Sequence, residues 1–116
     1  MQIQKAPPAL TSFCQAATKQ VAATEIGDYK TSNEAYEQLI TALQWLETYQ
    51  QTNLLIPFLT SSQAGECLWA ATYLLLHQHS TAESALQRLA RQPGILGLNA
   101  ELALREWRAG RLTSLW

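Results

Sequence analysis

The feature that most constrains the fold is a helical stretch that recurs 30 residues further along the chain. The segment Leu68–Leu75 reads LWAATYLL, and Leu98–Arg105 reads LNAELALR. This alignment places Leu68 on Leu98, Ala70 on Ala100 and Leu74 on Leu104. The preceding segments agree in the same register, since Leu55 falls on Ala85, Ile56 on Leu86 and Leu59 on Leu89. The repeated unit is therefore a short helix, a turn and a longer helix with a central alanine.

A single helix pair of this kind cannot bury its apolar face alone and must stack on a neighbouring pair, as HEAT- and armadillo-like repeats do. The apolar residues elsewhere also recur at intervals of three and four, and no alternation typical of strands is visible. We therefore predict an all-α, short HEAT/armadillo-like helical repeat of about six helices. The expected helices span about residues 9–26, 33–50, 52–60, 61–77, 80–92 and 97–112.

Local signals set the expected boundaries. Gly27-Asp28 should end the first helix, and the TSN segment at 31–33 should cap the second. Pro57 should kink or shorten the third helix, and Ser80 with Glu83 resembles a capping box for the fifth. We expect residues 1–8 to be a flexible lead-in, 9–112 one domain and 113–116 a tail.

The last helix is predicted to bury one face and expose the other. Its apolar face carries Leu96, Ala100, Ala103, Leu104 and Trp107, which should pack on the fourth and fifth helices. Its polar face carries Glu101, Arg105 and Arg108, with Glu101 and Arg105 at the favourable four-residue spacing. Such a polar face would end the stack.

Several functional classes are disfavoured by the sequence. No nucleophile motif, phosphate-binding glycine loop or metal-ligand spacing is present, so we expect a non-catalytic protein without a cofactor or metal site. The formal net charge of −1 argues against nucleic acid as a partner. No apolar run reaches signal-peptide or membrane-span length, and Cys14 and Cys67 form no Cys-x-x-Cys motif. We therefore expect two buried or half-buried thiols in a cytoplasmic protein that does not enter a membrane.

Charge and aromatic residues indicate where a partner could bind. All lysines lie in the first third and all arginines in the last third, whereas most acids precede Arg88. The segment EIGDYKTSNEAYE at 25–37 combines carboxylates with two tyrosines, and a protein interface favours such aromatic anchors. The predicted partner-binding residues are Glu25, Asp28, Tyr29, Asn33, Glu34, Tyr36 and Glu37, with Glu66 and Trp69 as second choice.

Three segments carry a family resemblance: GDYKTSN at 27–33, GECLWAATYLL at 65–75 and GLNAELALREWRAGRL at 97–112. Together they resemble a small bacterial family catalogued as a domain of unknown function, number two thousand and nineteen, which has an armadillo/HEAT-like fold. Small helical-repeat proteins of this kind resemble toxin-immunity proteins. The resemblance implies a protein that binds a cognate toxin domain stoichiometrically over its active site. The alternative is an adaptor or regulatory protein that binds a housekeeping partner, and a small enzyme is the least favoured interpretation.

Overall fold

The computed structural model describes residues 7–116, and all regular structure in that range is helical. Five α-helices and one 3₁₀ segment follow one another along the chain: α1 (Pro8–Glu25), α2 (Tyr29–Thr48), the 3₁₀ segment (Thr52–Thr60), α3 (Ala64–Leu76), α4 (Ser80–Ala90) and α5 (Gly94–Arg108). The predicted all-α fold of about six helices is confirmed.

Helices α1 and α2 form a hairpin joined by a turn of only three residues. Gly27 adopts φ of +75°, and the amides of Gly27 and Asp28 bond the carbonyls of Thr24 and Ala23, which closes the end of α1. The Asp28 side chain then accepts a hydrogen bond from the Thr31 amide at 3.2 Å. Asp28 is therefore the N-cap of α2, so the prediction that this helix starts near residue 33 is wrong.

The third element is a nine-residue 3₁₀ helix with Pro57 inside it. Because proline has no amide hydrogen and its ring clashes with the preceding turn, an α-helix is disfavoured there, as expected from the sequence. Leu55 and Leu59 are nevertheless buried, which fixes this segment against α3.

Helix α3 lies at the centre of the molecule. It contacts α1, α4, α5 and the 3₁₀ segment, and nine of its residues are buried. The approach of α1 is especially close at Gly65, where an added Cβ would stand 2.8 Å from the Ala17 carbonyl oxygen. A larger residue at position 65 would therefore push α1 and α3 apart.

Helices α4 and α5 form the last pair and pack on α3. The predicted inner face of α5 is confirmed, because Leu96, Ala100 and Leu104 are buried and Ala103 and Trp107 are half-buried. The predicted capping box of α4 is not formed. His79 is the N-cap, and Glu83 instead accepts a hydrogen bond from Arg108 at 3.1 Å.

The 30-residue register holds in the packing except at two positions. Leu55, Leu59, Ala70 and Leu74 are buried and so are their counterparts Ala85, Leu89, Ala100 and Leu104. Ile56 is exposed although Leu86 is buried, and Leu98 is 61% exposed although Leu68 is buried. The packing is thus repeat-like, and Leu98 is exposed because α5 ends the stack.

The structure describes the two segments predicted to flank the domain to different extents. Of the lead-in at 1–8, residues 1–6 lie outside the described part of the chain, and Pro8 is the first residue of α1. Residues 111–116, here called the C-terminal strap, have no regular secondary structure, and Leu115 packs against the core. Among the described residues, no helix has the length and apolar character needed to cross a membrane.

Candidate functional site

The structure does not bring the nine predicted partner-binding residues together at one site. Glu25, Asp28 and Tyr29 surround the α1–α2 turn and are exposed, Tyr29 to 70%. Asp28 is engaged in capping α2, and the hydrogen bonds from Thr31 lower the pKa of its carboxyl. The fold therefore stabilises the charged form of Asp28.

Glu34 and Glu37 lie on the exposed side of α2, where they line an open groove between α1 and α2. We call it the acidic groove; its volume is about 890 Å³. It is bordered by Pro8, Ala9, Ser12 and Gln15 of α1 and by Glu34, Glu37, Gln38, Thr41, Ala42 and Trp45 of α2. Asn33 is exposed on the same helix and does not line the groove. The carboxylates are held on a helix, so little ordering is required when a partner binds.

The charge asymmetry of the sequence persists in the fold. Arg105 pairs with Glu101, Arg108 with Glu83 and Arg111 with Glu106, so all three ion pairs use α4, α5 and the strap. Within residues 7–116, no cation lies within ion-pair distance of Glu34 or Glu37. Three of the five arginines thus pair with acids of their own end, whereas Glu34 and Glu37 have no ion-pair partner within residues 7–116.

Tyr36 and Trp69 do not join the acidic groove. Both are half-buried and pack edge to face with ring centroids 5.5 Å apart. The Tyr36 hydroxyl donates to the Leu115 carbonyl at 2.7 Å, and the Trp69 indole donates to Gln20 Oε1 at 2.9 Å. Burial raises the pKa of Tyr36. These aromatic rings therefore connect α2 and α3 with α1 and the strap.

A polar network that sequence reasoning missed supports these rings. Gln20 Nε2 donates to Thr24 Oγ1 at 3.1 Å and to the buried Ser32 hydroxyl at 3.2 Å. The network thereby connects Trp69 on α3 with both helices of the hairpin. The only local signal was the four-residue spacing of Gln20 and Thr24, because Trp69 lies 49 residues away in sequence.

Glu66 lies apart from the other predicted carboxylates, half-buried at the start of α3. The Ser61 hydroxyl donates to it at 3.4 Å, and its negative charge acts on Cys14. Burial, together with the charge and hydrogen bonding of Glu66, raises the pKa of Cys14 to about 11. Glu66 therefore adds to the effect of burial on the pKa of Cys14, and it does not line the acidic groove.

Cys67 is buried, as the sequence analysis expected of one of the two thiols. Its sulfur lies 3.5 Å from the Leu59 carbonyl oxygen, and Arg88 approaches both atoms. Burial raises the pKa of Cys67, and the positive charge of Arg88 offsets part of that effect. Arg88 therefore ties α4 to the 3₁₀ segment.

Among the described residues, no three or more His, Cys, Asp and Glu side chains are grouped as metal ligands would be. A comparison with protein-family models, curated proteins and solved structures finds no match. The family resemblance of the three sequence segments therefore stays a prediction.

Proposed function

We propose that the chain is a non-catalytic protein-binding domain that holds a basic protein surface in the acidic groove. The observation that carries this proposal is the pair Glu34 and Glu37 in an open groove of about 890 Å³, without a cation partner within residues 7–116. Complementary charge accelerates encounter with a basic partner and excludes partners of like charge.

The biological role proposed for this binding is that of a bacterial immunity protein. The domain would cover the active site of a cognate toxin in a one-to-one complex in the cytoplasm, with its carboxylates opposite basic residues of the toxin. Support comes from the motif resemblance together with the charged groove on a preformed helix hairpin. Inhibition by covering requires no reaction in the domain itself.

Where a toxin domain is encoded beside this chain, the role is tested in cells that express that toxin domain. The parent chain should protect the cells, and Glu34→Lys/Glu37→Lys should abolish protection, because each lysine would face the basic toxin surface. The matched control Glu83→Lys/Glu101→Lys changes the charge equally at a half-buried site on α4 and an exposed site on α5 and should still protect. Unchanged protection by the groove variant would refute the proposed surface. A gene neighbourhood without a toxin domain would favour the adaptor role instead.

A further inference from the structure

The outer face of α5 carries an apolar stripe. Ile95, Leu98 and Leu102 are exposed to 39%, 61% and 46%. They are three and four positions apart, so they lie on one face of the helix. The buried residues Ala100 and Leu104 lie on the opposite face, which packs on the rest of the molecule. A surface helix ordinarily carries polar residues where these three apolar residues stand, and we call them the α5 stripe.

The α5 stripe is the main concentration of exposed apolar residues in the described part of the chain. Eight large apolar side chains are exposed there, and three of them belong to this one helix. The other five are spread over the α1–α2 turn, the end of α2, the 3₁₀ segment and the last residue. Singly exposed leucines are normal on protein surfaces, whereas a contiguous row of them marks an interaction surface.

The 30-residue repeat indicates what kind of element would cover the α5 stripe. Leu98 aligns with Leu68 of α3, which is buried. Leu102 aligns with Thr72 of α3, which is also buried. The α4–α5 pair packs on α3, but residues 109–116 follow α5 without another helix. Helix α5 thus has the stacking surface of a repeat unit without a neighbouring unit on it, so a packed helix fits the stripe.

The α5 stripe is nearly symmetric about Leu98. Ile95 and Leu102 lie on the two sides of Leu98, about 4.5 and 6 Å away along the helix axis. When two α5 helices cross antiparallel at Leu98, Ile95 of each copy therefore lies beside Leu102 of the other copy. The two Leu98 side chains meet at the two-fold axis. A two-fold dimer requires a self-complementary surface of this kind, so a second copy of the chain matches the stripe.

The borders of the α5 stripe do not repel a second copy. Glu101 and Arg105 on one border pair with each other at 3.3 Å. Glu106 on the other border pairs with Arg111. Each border therefore carries both signs of charge, and the formal net charge of the whole chain is only −1. Two copies can approach through this face without opposing large charges of like sign.

We propose that two copies of this chain associate through their α5 stripes as an antiparallel two-fold dimer. The acidic groove is lined by α1 and α2 and takes no part in this interface, so either proposal can fail without the other. Three apolar side chains from each copy form a small contact beside the roughly 800 Å² per partner of a standard stable interface. The dimer is therefore weak and reversible, with a Kd on the order of 0.1 mM.

Sedimentation equilibrium of the full chain from about 0.01 to about 1 mM tests the proposal. The average mass should rise with concentration from 12.9 kDa toward twice that value. Leu98→Lys should weaken the dimer at least about tenfold, because it places two cations together at the two-fold axis. The matched control Ile26→Lys changes an apolar side chain that is 81% exposed beside the α1–α2 turn and should dimerise as the parent does. Circular dichroism checks that each variant is folded.

Two double variants test the antiparallel arrangement. Across such a pair, Ile95→Lys/Leu102→Glu places opposite charges together, whereas Ile95→Lys/Leu102→Lys places like charges together. The first variant should therefore dimerise at least about tenfold more tightly than the second. The proposal would be overturned by a parent that stays monomeric up to about 1 mM or by a dimer that Leu98→Lys leaves unchanged. Equal weakening by Ile26→Lys, or equal dimerisation of the two double variants, would overturn it as well.

Discussion

Two tyrosines contact the C-terminal strap, and removal of their hydroxyls is predicted to change the stability of the fold in opposite directions. The Tyr36 hydroxyl donates to the Leu115 carbonyl at 2.7 Å, so Tyr36→Phe should lower the free energy of unfolding by about 1 kcal/mol. The Tyr73 hydroxyl is buried, and burial and the nearby Glu47 carboxylate raise its pKa, but no described residue accepts a hydrogen bond from it at normal distance and angle. Tyr73→Phe should therefore raise the free energy of unfolding by about 1 kcal/mol. Each substitution removes one oxygen and keeps the ring, so the packing changes little.

The assay is urea unfolding followed by circular dichroism, with thermal unfolding as a second readout. For a chain of this size, 1 kcal/mol corresponds to a shift in Tm of about 4 °C. The two variants should therefore differ in Tm by about 8 °C, with unchanged denaturant slopes. Destabilisation by Tyr73→Phe would refute the reasoning, because it would show that a water or the Glu47 carboxylate satisfies the hydroxyl.

Three further predictions concern the backbone and the thiols. Gln78 follows the end of α3 with φ of +61°, a conformation that glycine adopts without strain. Gln78→Gly should therefore stabilise the fold by about 0.5 kcal/mol in urea unfolding. Gly27→Ala, at φ of +75°, should destabilise it by about 1 kcal/mol for the same reason. If Gln78→Gly destabilised the fold and Gly27→Ala stabilised it, the left-handed backbone conformations assigned to these two helix ends would be wrong. Gly97→Ala should lower the free energy of unfolding by about 3 kcal/mol in the same assay, because the added Cβ would lie 1.9 Å from the Gln92 carbonyl oxygen. In Gly27→Ala the added Cβ meets nothing within 4 Å. Equal losses of stability in the two variants would exclude the clash. Burial and Glu66 raise the pKa of Cys14 to about 11. The rate at which Cys14 reacts with a disulfide reagent should therefore rise about tenfold per pH unit up to pH 11. Glu66→Gln should shift this pH–rate profile to lower pH, because it removes the negative charge beside the thiol. Because that pKa is raised in the folded state, the thiol's contribution to stability should be present below about pH 8.5 and lost as the pH rises to 11. A profile unchanged by Glu66→Gln would contradict the assigned cause.

The helical fold could be predicted because its determinants are local. The three- and four-residue spacing of apolar residues identified the buried face of α5, and Gly27 marked the end of α1, where the structure has positive φ. The start of α2 was missed because three candidate caps follow Asp28 and the sequence does not show which side chain reaches an amide. The repeat register alone does not predict the exposure of Leu98, because equivalent positions in a repeat differ at the end of the stack.

The candidate sites were harder to predict because they depend on contacts between distant parts of the chain. Proximity in sequence grouped Tyr36 with Glu34 and Glu37. Residues one or two positions apart on a helix do not face the same side, however. Glu34 and Glu37 therefore line the groove, whereas Tyr36 contacts the strap. Its hydrogen bond joins residues 79 positions apart, and no periodic pattern announces such a pair. The groove between α1 and α2 likewise depends on how the hairpin packs.

The central claim is that Glu34 and Glu37 hold a basic protein partner in the acidic groove. Its most direct test is calorimetric titration of the purified parent and of Glu34→Lys/Glu37→Lys with any toxin domain found encoded beside the chain. We predict a one-to-one complex with a nanomolar Kd that weakens as salt rises from about 0.05 to about 0.3 M, and affinity at least about 100-fold lower for the variant. Equal affinity of parent and variant, or no complex at all, would contradict the account.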